Sequence, residues 1–161
     1  MASKGYNELI TQINQLLQID RSMVATLNTV LAKQKDRIFG DGKASNESQI
    51  GTYGTKPISI SRKNQSRQTG KTYFKGGYRE YKGLTGKGNA FVNLRNTDQM
   101  RMDYTVHVLG KNEWGLGFSN DFNADKAEWN EERYGKLIFE TSDSEDDLFD
   151  RILQFELDRI P

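Results

Sequence analysis

The sequence predicts an α+β fold: a long N-terminal helix and a C-terminal helix packed on an antiparallel β-sheet, with a long extended loop or hairpin inserted between them. Three observations predict it. A one-sided apolar stripe runs through the first 39 residues, two alternating runs lie between Met102 and Phe118, and a capped amphipathic stretch begins at Asp143.

The N-terminal stripe is carried by Ile13, Leu17, Val24, Leu27, Leu31 and Ile38, and counting Asp20 and Gln34 in the gaps makes a regular four-three alternation. That spacing keeps one face of a helix apolar, and no Pro or Gly interrupts Tyr6 to Phe39. One long helix is expected, kinked near Ile19–Arg21, with Gly40 as its stop. The alternative is a second helix N-capped by Asp20.

From Gly40 to Gly88 the composition turns to Gly, Ser, Asn, Gln, Thr and Lys, with few apolar residues before Tyr73. This is expected to be a long basic loop or β-hairpin arm ordered by partners, in which Ile58 and Ile60 of Lys56–Ser61 alternate as an edge strand would. Ala90, Val92 and Leu94 read as a half-buried strand. Met102, Tyr104, Val106 and Val108 read as another, which the turn Gly110-Lys111-Asn112 joins to Trp114, Leu116 and Phe118. Gly115 and Gly117 thin one face of that hairpin so that something can pack close.

Asn123–Arg133 has helical composition and Gly135 stops it, while Lys136–Glu140 reads as a short strand or extended piece. Ser142 and Glu145 have the spacing of a capping box, opening a helix from Asp143 to about Arg159 whose buried side is Leu148, Phe149, Ile152, Leu153, Phe155 and Ile160. Acidic residues in its first turns suit the helix dipole.

The 161 residues fit a single domain, 1–161, with the arm 40–88 inside it. A hydrophobic content of 35% implies a modest core. Without Cys there are no disulfides, thiolate metal sites or Cys nucleophiles, and the single His107 leaves little for zinc or a His-based triad. It reads as a strand histidine on the surface or hydrogen-bonded within the fold. No apolar run approaches the roughly 18 residues of a membrane span and the N-terminus lacks a signal-peptide core, so a soluble, intracellularly made protein with no membrane contact is expected. The acidic cluster lacks the pattern of a calcium loop, and the glycines from Gly76 to Gly88 do not open a helix after a strand as a phosphate-binding loop would. No enzyme, metal or cofactor is expected.

Charge placement is more informative than net charge, which is +1. Between Gly54 and Gly88 lie nine bases, Lys56, Arg62, Lys63, Arg67, Lys71, Lys75, Arg79, Lys82 and Lys87, against one acid, Glu80. Between Asp121 and Asp150 lie eleven acids, among them Asp143, Glu145, Asp146 and Asp147, against three bases. Opposed segments suit a head-to-tail contact between copies that closes a ring. The basic segment would equally suit nucleic acid, with Tyr73, Phe74, Tyr78 and Tyr81 available to stack. Both segments as plain solvated faces is the third reading.

Several of these stretches, taken in order, resemble a known family. A helix ending in a basic-apolar stretch, Lys35–Phe39, leads into a Gly-rich segment with a Tyr, Ile50-Gly51-Thr52-Tyr53. Then Leu94-Arg95-Asn96-Thr97-Asp98-Gln99-Met100-Arg101 corresponds to a Leu-x-x-Thr-Gly-x-Met-Arg-like motif, with Asp98 where Gly is usual. Ala127, Asn130, Arg133, Tyr134, Gly135, Lys136, Ile138 and Phe139 match the last motif, without its Pro. The chain resembles the neck and tail-completion (tail-component, virion-morphogenesis) proteins of tailed bacteriophages. The resemblance covers most of the chain and is weakest over Ser61–Gly88. It implies a non-enzymatic structural subunit of the head–tail joining ring, assembled in the host cytoplasm and residing in the neck or tail region of the virion. Such a ring seals the portal–tail joint and passes DNA through its lumen. The partners implied are further copies, portal or connector proteins, and tail-tube or tail-terminator proteins, with DNA as a further contact. Lys56, Arg62, Lys63, Arg67, Lys71, Lys75, Arg79 and Lys82 are then candidates for subunit or DNA contacts, and Asp143, Glu145, Asp146 and Asp147 form the acidic partner face. A tail-terminator ring subunit and a free-standing nucleic-acid-binding protein are the alternatives.

Overall fold

The computed structural model of the protein describes residues 2–63, 69–88, 90–110 and 113–159, with side chains in those ranges except at 2–9, 62, 63 and 69. The fold is α+β. Helix α1 spans Ala2–Lys35 and runs on into a π-helical turn, Asp36–Asp41. Asp20 therefore caps nothing. The wider π turn buries Arg37, Ile38 and Phe39 together, and the chain leaves it through Gly42 in the left-handed conformation, with φ 65°. Gly42, rather than Gly40, is the stop. A Cβ at Gly42 would lie 2.2 Å from the Val92 carbonyl oxygen, so both the backbone angle and the close approach require glycine.

Two antiparallel hairpins form separate two-stranded sheets. Strands β1 (Ile58–Lys63) and β2 (Thr69–Phe74) pair with Ile58 opposite Phe74, so the alternation of Ile58 and Ile60 does mark a strand. Strands β3 (Tyr104–Gly110) and β4 (Glu113–Phe118) pair with Tyr104 opposite Phe118, with a bulge between Val108 and Gly110. The expected turn residues Lys111 and Asn112 lie outside the described residues. Met102 belongs to the short helix α3 (Gln99–Asp103) instead of the strand, and it is exposed together with Val108. Cross-strand side chains cover the glycine face: a Cβ at Gly115 would meet Leu109 at 3.1 Å, and one at Gly117 would meet His107 at 3.6 Å.

The expected strand Ala90–Leu94 is not one. Its single ladder-like bond, from the Val92 amide to the Gly51 carbonyl at 2.8 Å, ties it to the loop, and Leu94 turns into positive φ at 49°. Lys136–Glu140 is likewise irregular: Glu131 Oε1 takes the Ile138 and Phe139 amides at 2.6 and 2.9 Å, so neither is available to a ladder.

The stretch 40–88 is not a bare loop. Ala44, Ile50 and Tyr53 join Leu31, Ile38, Phe39, Val92, Met100, Tyr104, Ala127 and Ile138 in the core, and helix α2 (Gly77–Leu84) follows the arm hairpin. A few well-placed apolar side chains suffice here because their neighbours pair backbone groups locally, as in the Ala44 amide to Ser48 carbonyl bond of 2.9 Å. Phe118 and Phe139 stack edge-on at 5.1 Å beside Tyr104, which closes the core where β3, β4 and the segment after helix α4 (Asp121–Tyr134) meet.

Helix α5 (Asp143–Leu157) starts at the capping box, Glu145 Oε2 accepting from the Ser142 amide at 2.9 Å. Lys33 Nζ donates to the Ser144 carbonyl at 2.8 Å, and from there α5 packs back along α1. Its expected buried side is only partly buried: Leu148, Phe149, Ile152 and Leu153 are half-covered, Phe155 is exposed, and Ile160 lies outside the described residues. One helix alone lies over that side, so the outer half of the stripe stays in solvent.

Candidate functional site

The loop Thr52–Lys56, helix α2, the segment 92–96 and the end of α4 enclose a cleft of about 810 Å³. Gly77 makes this enclosure possible. It holds φ 71°, and a Cβ there would lie 2.4 Å from the Lys56 carbonyl oxygen, so the loop runs directly against the start of α2. The Arg79 amide secures it by donating to the Gly54 carbonyl at 3.1 Å.

Three tyrosines line the cleft, Tyr53, Tyr78 and Tyr134. The Tyr53 hydroxyl donates to Asn93 Oδ1 at 3.0 Å and accepts from the Asn93 amide at 3.2 Å, and burial pushes it up to about 12. Tyr53 meets Tyr78 edge-on at 5.4 Å, and Tyr78 in turn lies 5.4 Å from Tyr81, which meets Phe74 at 5.5 Å. These rings connect the cleft to the arm hairpin. Phe74 is buried, so it is not available to stack on a ligand as the sequence suggested, whereas Tyr73 is exposed.

Among the described residues five cations line the same cleft and no carboxylate does. Lys82 is buried: its ammonium donates to the Arg95 carbonyl and to Asn93 Oδ1 at 3.4 Å and lies 5.1 Å from the Tyr53 ring centre. Desolvation, then the nearby charges of Lys87 and Arg95, bring it down to about 8. Arg95 is held by Asp98 at 2.8 Å, and Asp98 also takes Lys87 at 2.8 Å. Those hydrogen bonds hold the Asp98 carboxyl well below the usual carboxylate range. Asp98 has φ 60°, a left-handed backbone that Asp tolerates better than most residues. Lys56, Arg79 and Arg133 differ from these two: all are exposed, and no described carboxylate pairs with any of them.

Of the basic residues singled out in the sequence, Lys56, Arg79 and Lys82 thus meet in the cleft, although Lys82 is too buried to be a surface contact. Lys71 and Lys75 are exposed on the arm and its following turn, away from the lining. Arg67 and the side chains of Arg62 and Lys63 lie outside the described residues. Arg95, Arg133 and Tyr134 were not expected here, since two of them come from the acid-rich half of the chain and no periodicity marks them. Asp143, Asp146 and Asp147 are exposed as an acidic face requires. Glu145 is not part of that face: it is fully buried, and it pairs with Arg37 at 2.8 Å.

A second surface feature lies on α1. Ile10, Ile13, Leu16 and Leu17 are between 41% and 61% exposed, so the N-terminal half of the stripe is uncovered while Leu31 and Ile38 enter the core. Including Ile10, the stripe keeps the alternating three-four spacing of a coiled-coil seam.

Among the described residues no group of three or more His, Cys, Asp or Glu side chains converges on a metal-sized site, and no helix is long and apolar enough to cross a membrane. His107 Nε2 is buried without a hydrogen-bond partner, packed over Gly117. Compared with protein-family models, curated proteins and solved structures, the chain matches none.

Proposed function

We propose that the chain is a non-enzymatic structural subunit of the head–tail joining, or neck, ring of a tailed bacteriophage, working as one of several identical copies between portal or connector proteins and the tail. The observation that carries this reading is the uncovered seam of α1. Four large apolar side chains stand in solvent on a helix of 34 residues, three of them, Ile10, Ile13 and Leu17, at the spacing that a neighbouring helix fills. A second copy supplies such a helix at the required stoichiometry. The arm hairpin, which pairs with no other strand among the described residues, and the opposed basic and acidic segments add further surface for copy-to-copy contact. The order of the neck-like sequence stretches supports a phage ring over other assemblies, with the tail-terminator tier as the alternative place for the same subunit.

The test is the mass of the purified full chain by light scattering and its shape by negative-stain electron microscopy, together with mass spectrometry of purified virions. Rings and incorporation into particles are expected, and Leu17→Lys should abolish both. A chain that stays monomeric at all concentrations, and is absent from particles, would end this reading.

A further inference from the structure

The cleft carries an inference that does not depend on ring assembly. We infer that it is a binding site for a nucleotide unit, a phosphate with its base, presented either as a free nucleotide or within a single strand of nucleic acid. Lys56, Arg79 and Arg133 are the exposed cations on this lining that pair with no described carboxylate, Arg133 lying 5.6 Å from the Tyr134 ring centre, so they are the ones able to meet a phosphate without first breaking an internal ion pair. Lys82 and Arg95, held by Asn93, Asp98 and the Arg95 carbonyl, form the positive floor behind them. No described carboxylate lines the cavity, so the charge on its lining favours an anion.

Charge alone would serve an acidic peptide equally well. The rings and amides favour a nucleotide. Tyr78 and Tyr134 are half-buried and line the cleft, with Arg133 5.6 Å from the Tyr134 ring centre, and a planar base is the anion-bearing partner that can pack against such aromatic and guanidinium groups. Asn96 and Asn130 also line the cleft with amide groups of the kind that read base edges, the Asn130 amide nitrogen donating to the Lys126 carbonyl and leaving its oxygen as the acceptor. The volume, about 810 Å³, falls within the range of sites that enclose a small ligand, roughly 300–1,000 Å³.

The test is a fluorescence-anisotropy titration of the full chain at low salt with a fluorescent mononucleotide and with a labelled oligothymidylate. Arg79→Glu combined with Arg133→Glu should weaken binding by about tenfold or more, because both side chains are exposed and phosphate contacts dominate such affinity. Arg21→Glu combined with Arg151→Glu makes the same charge change at exposed positions away from the cleft and should leave binding within about twofold. Equal affinity for both probes identifies the free nucleotide as the ligand; tighter, salt-sensitive binding of the oligonucleotide identifies the strand. Three results would overturn the inference: no binding of either probe, equal losses in the two double variants, or displacement of the probe by an acidic peptide of the 143–150 sequence, which would make the cleft a protein-docking site.

Discussion

Arg37 and Glu145, 108 residues apart, form a two-pronged ion pair sealed inside the protein: Nε reaches Oε1 at 2.8 Å and one terminal nitrogen reaches Oε2 at 3.1 Å. The remaining donors of Arg37 take the carbonyls of Lys43 at 3.0 Å, Ile138 at 3.3 Å and Glu140 at 2.7 Å, while Glu145 also accepts the Ser142 amide. One guanidinium thus ties the π turn, the loop after it, the segment behind α4 and the start of α5. All five guanidinium N–H groups and both carboxylate oxygens find a partner, which is the condition under which a buried charge is tolerable.

Removing one member leaves the other charged in a site without water. Glu145→Gln and Arg37→Met should each lower unfolding free energy by about 3–5 kcal/mol in urea denaturation, with the pair of substitutions together costing less than their sum. Losses below about 0.5 kcal/mol, the level of an ordinary surface change, would show that the pair is not structural.

The two halves of the α1 stripe should respond oppositely. Leu31 is buried in the core, and Leu31→Ala should cost about 2–5 kcal/mol of stability. Leu17 is exposed, so Leu17→Ala should change stability by less than about 0.5 kcal/mol while loosening self-association. Thermal melts beside analytical ultracentrifugation separate the effects, and an equal stability loss at both positions would place Leu17 inside the folded monomer.

Gly77 and Gly86 share a left-handed backbone but differ in surroundings: a Cβ at Gly77 would strike the Lys56 and Gly54 carbonyls, whereas nothing lies within 4 Å at Gly86. Gly86→Ala should therefore cost only the backbone strain, about 1 kcal/mol, and Gly77→Ala clearly more, together with a displaced loop and weakened nucleotide binding. Equal costs in chemical denaturation would mean that the loop does not press on α2.

Asp98 sets an acid-side dependence. Its folded-state value is depressed from the ordinary 3.8 by hydrogen bonds from Arg95 and Lys87, so its stabilising contribution is complete well above that value and disappears as pH falls from there through the lower folded one. The stability difference between the wild-type chain and Asp98→Asn should be constant near neutrality and narrow on going to about pH 3. A difference that stayed unchanged down to that pH would remove Asp98 from the account.

What could be read from the sequence alone is what depends on neighbours along the chain. The period of the α1 stripe, the strand character of β3 and β4, the cap at Ser142 with Glu145 and the stop at Gly135 are local rules, and the structure follows each of them, although burial along β3 fades toward its end and does not alternate. Tertiary packing decided what those rules leave open. It put half of one apolar stripe in the core and half in solvent, because periodicity defines a face but not what lies against it. It moved Glu145 from an acidic surface into a buried pair, since the burial of a charge depends on a partner 108 residues away. It assembled the cleft from Lys56 and Arg79 of a basic stretch and Arg133 and Tyr134 of an acidic one, residues whose proximity comes from the passage of the loop against Gly77 and from no spacing in the chain.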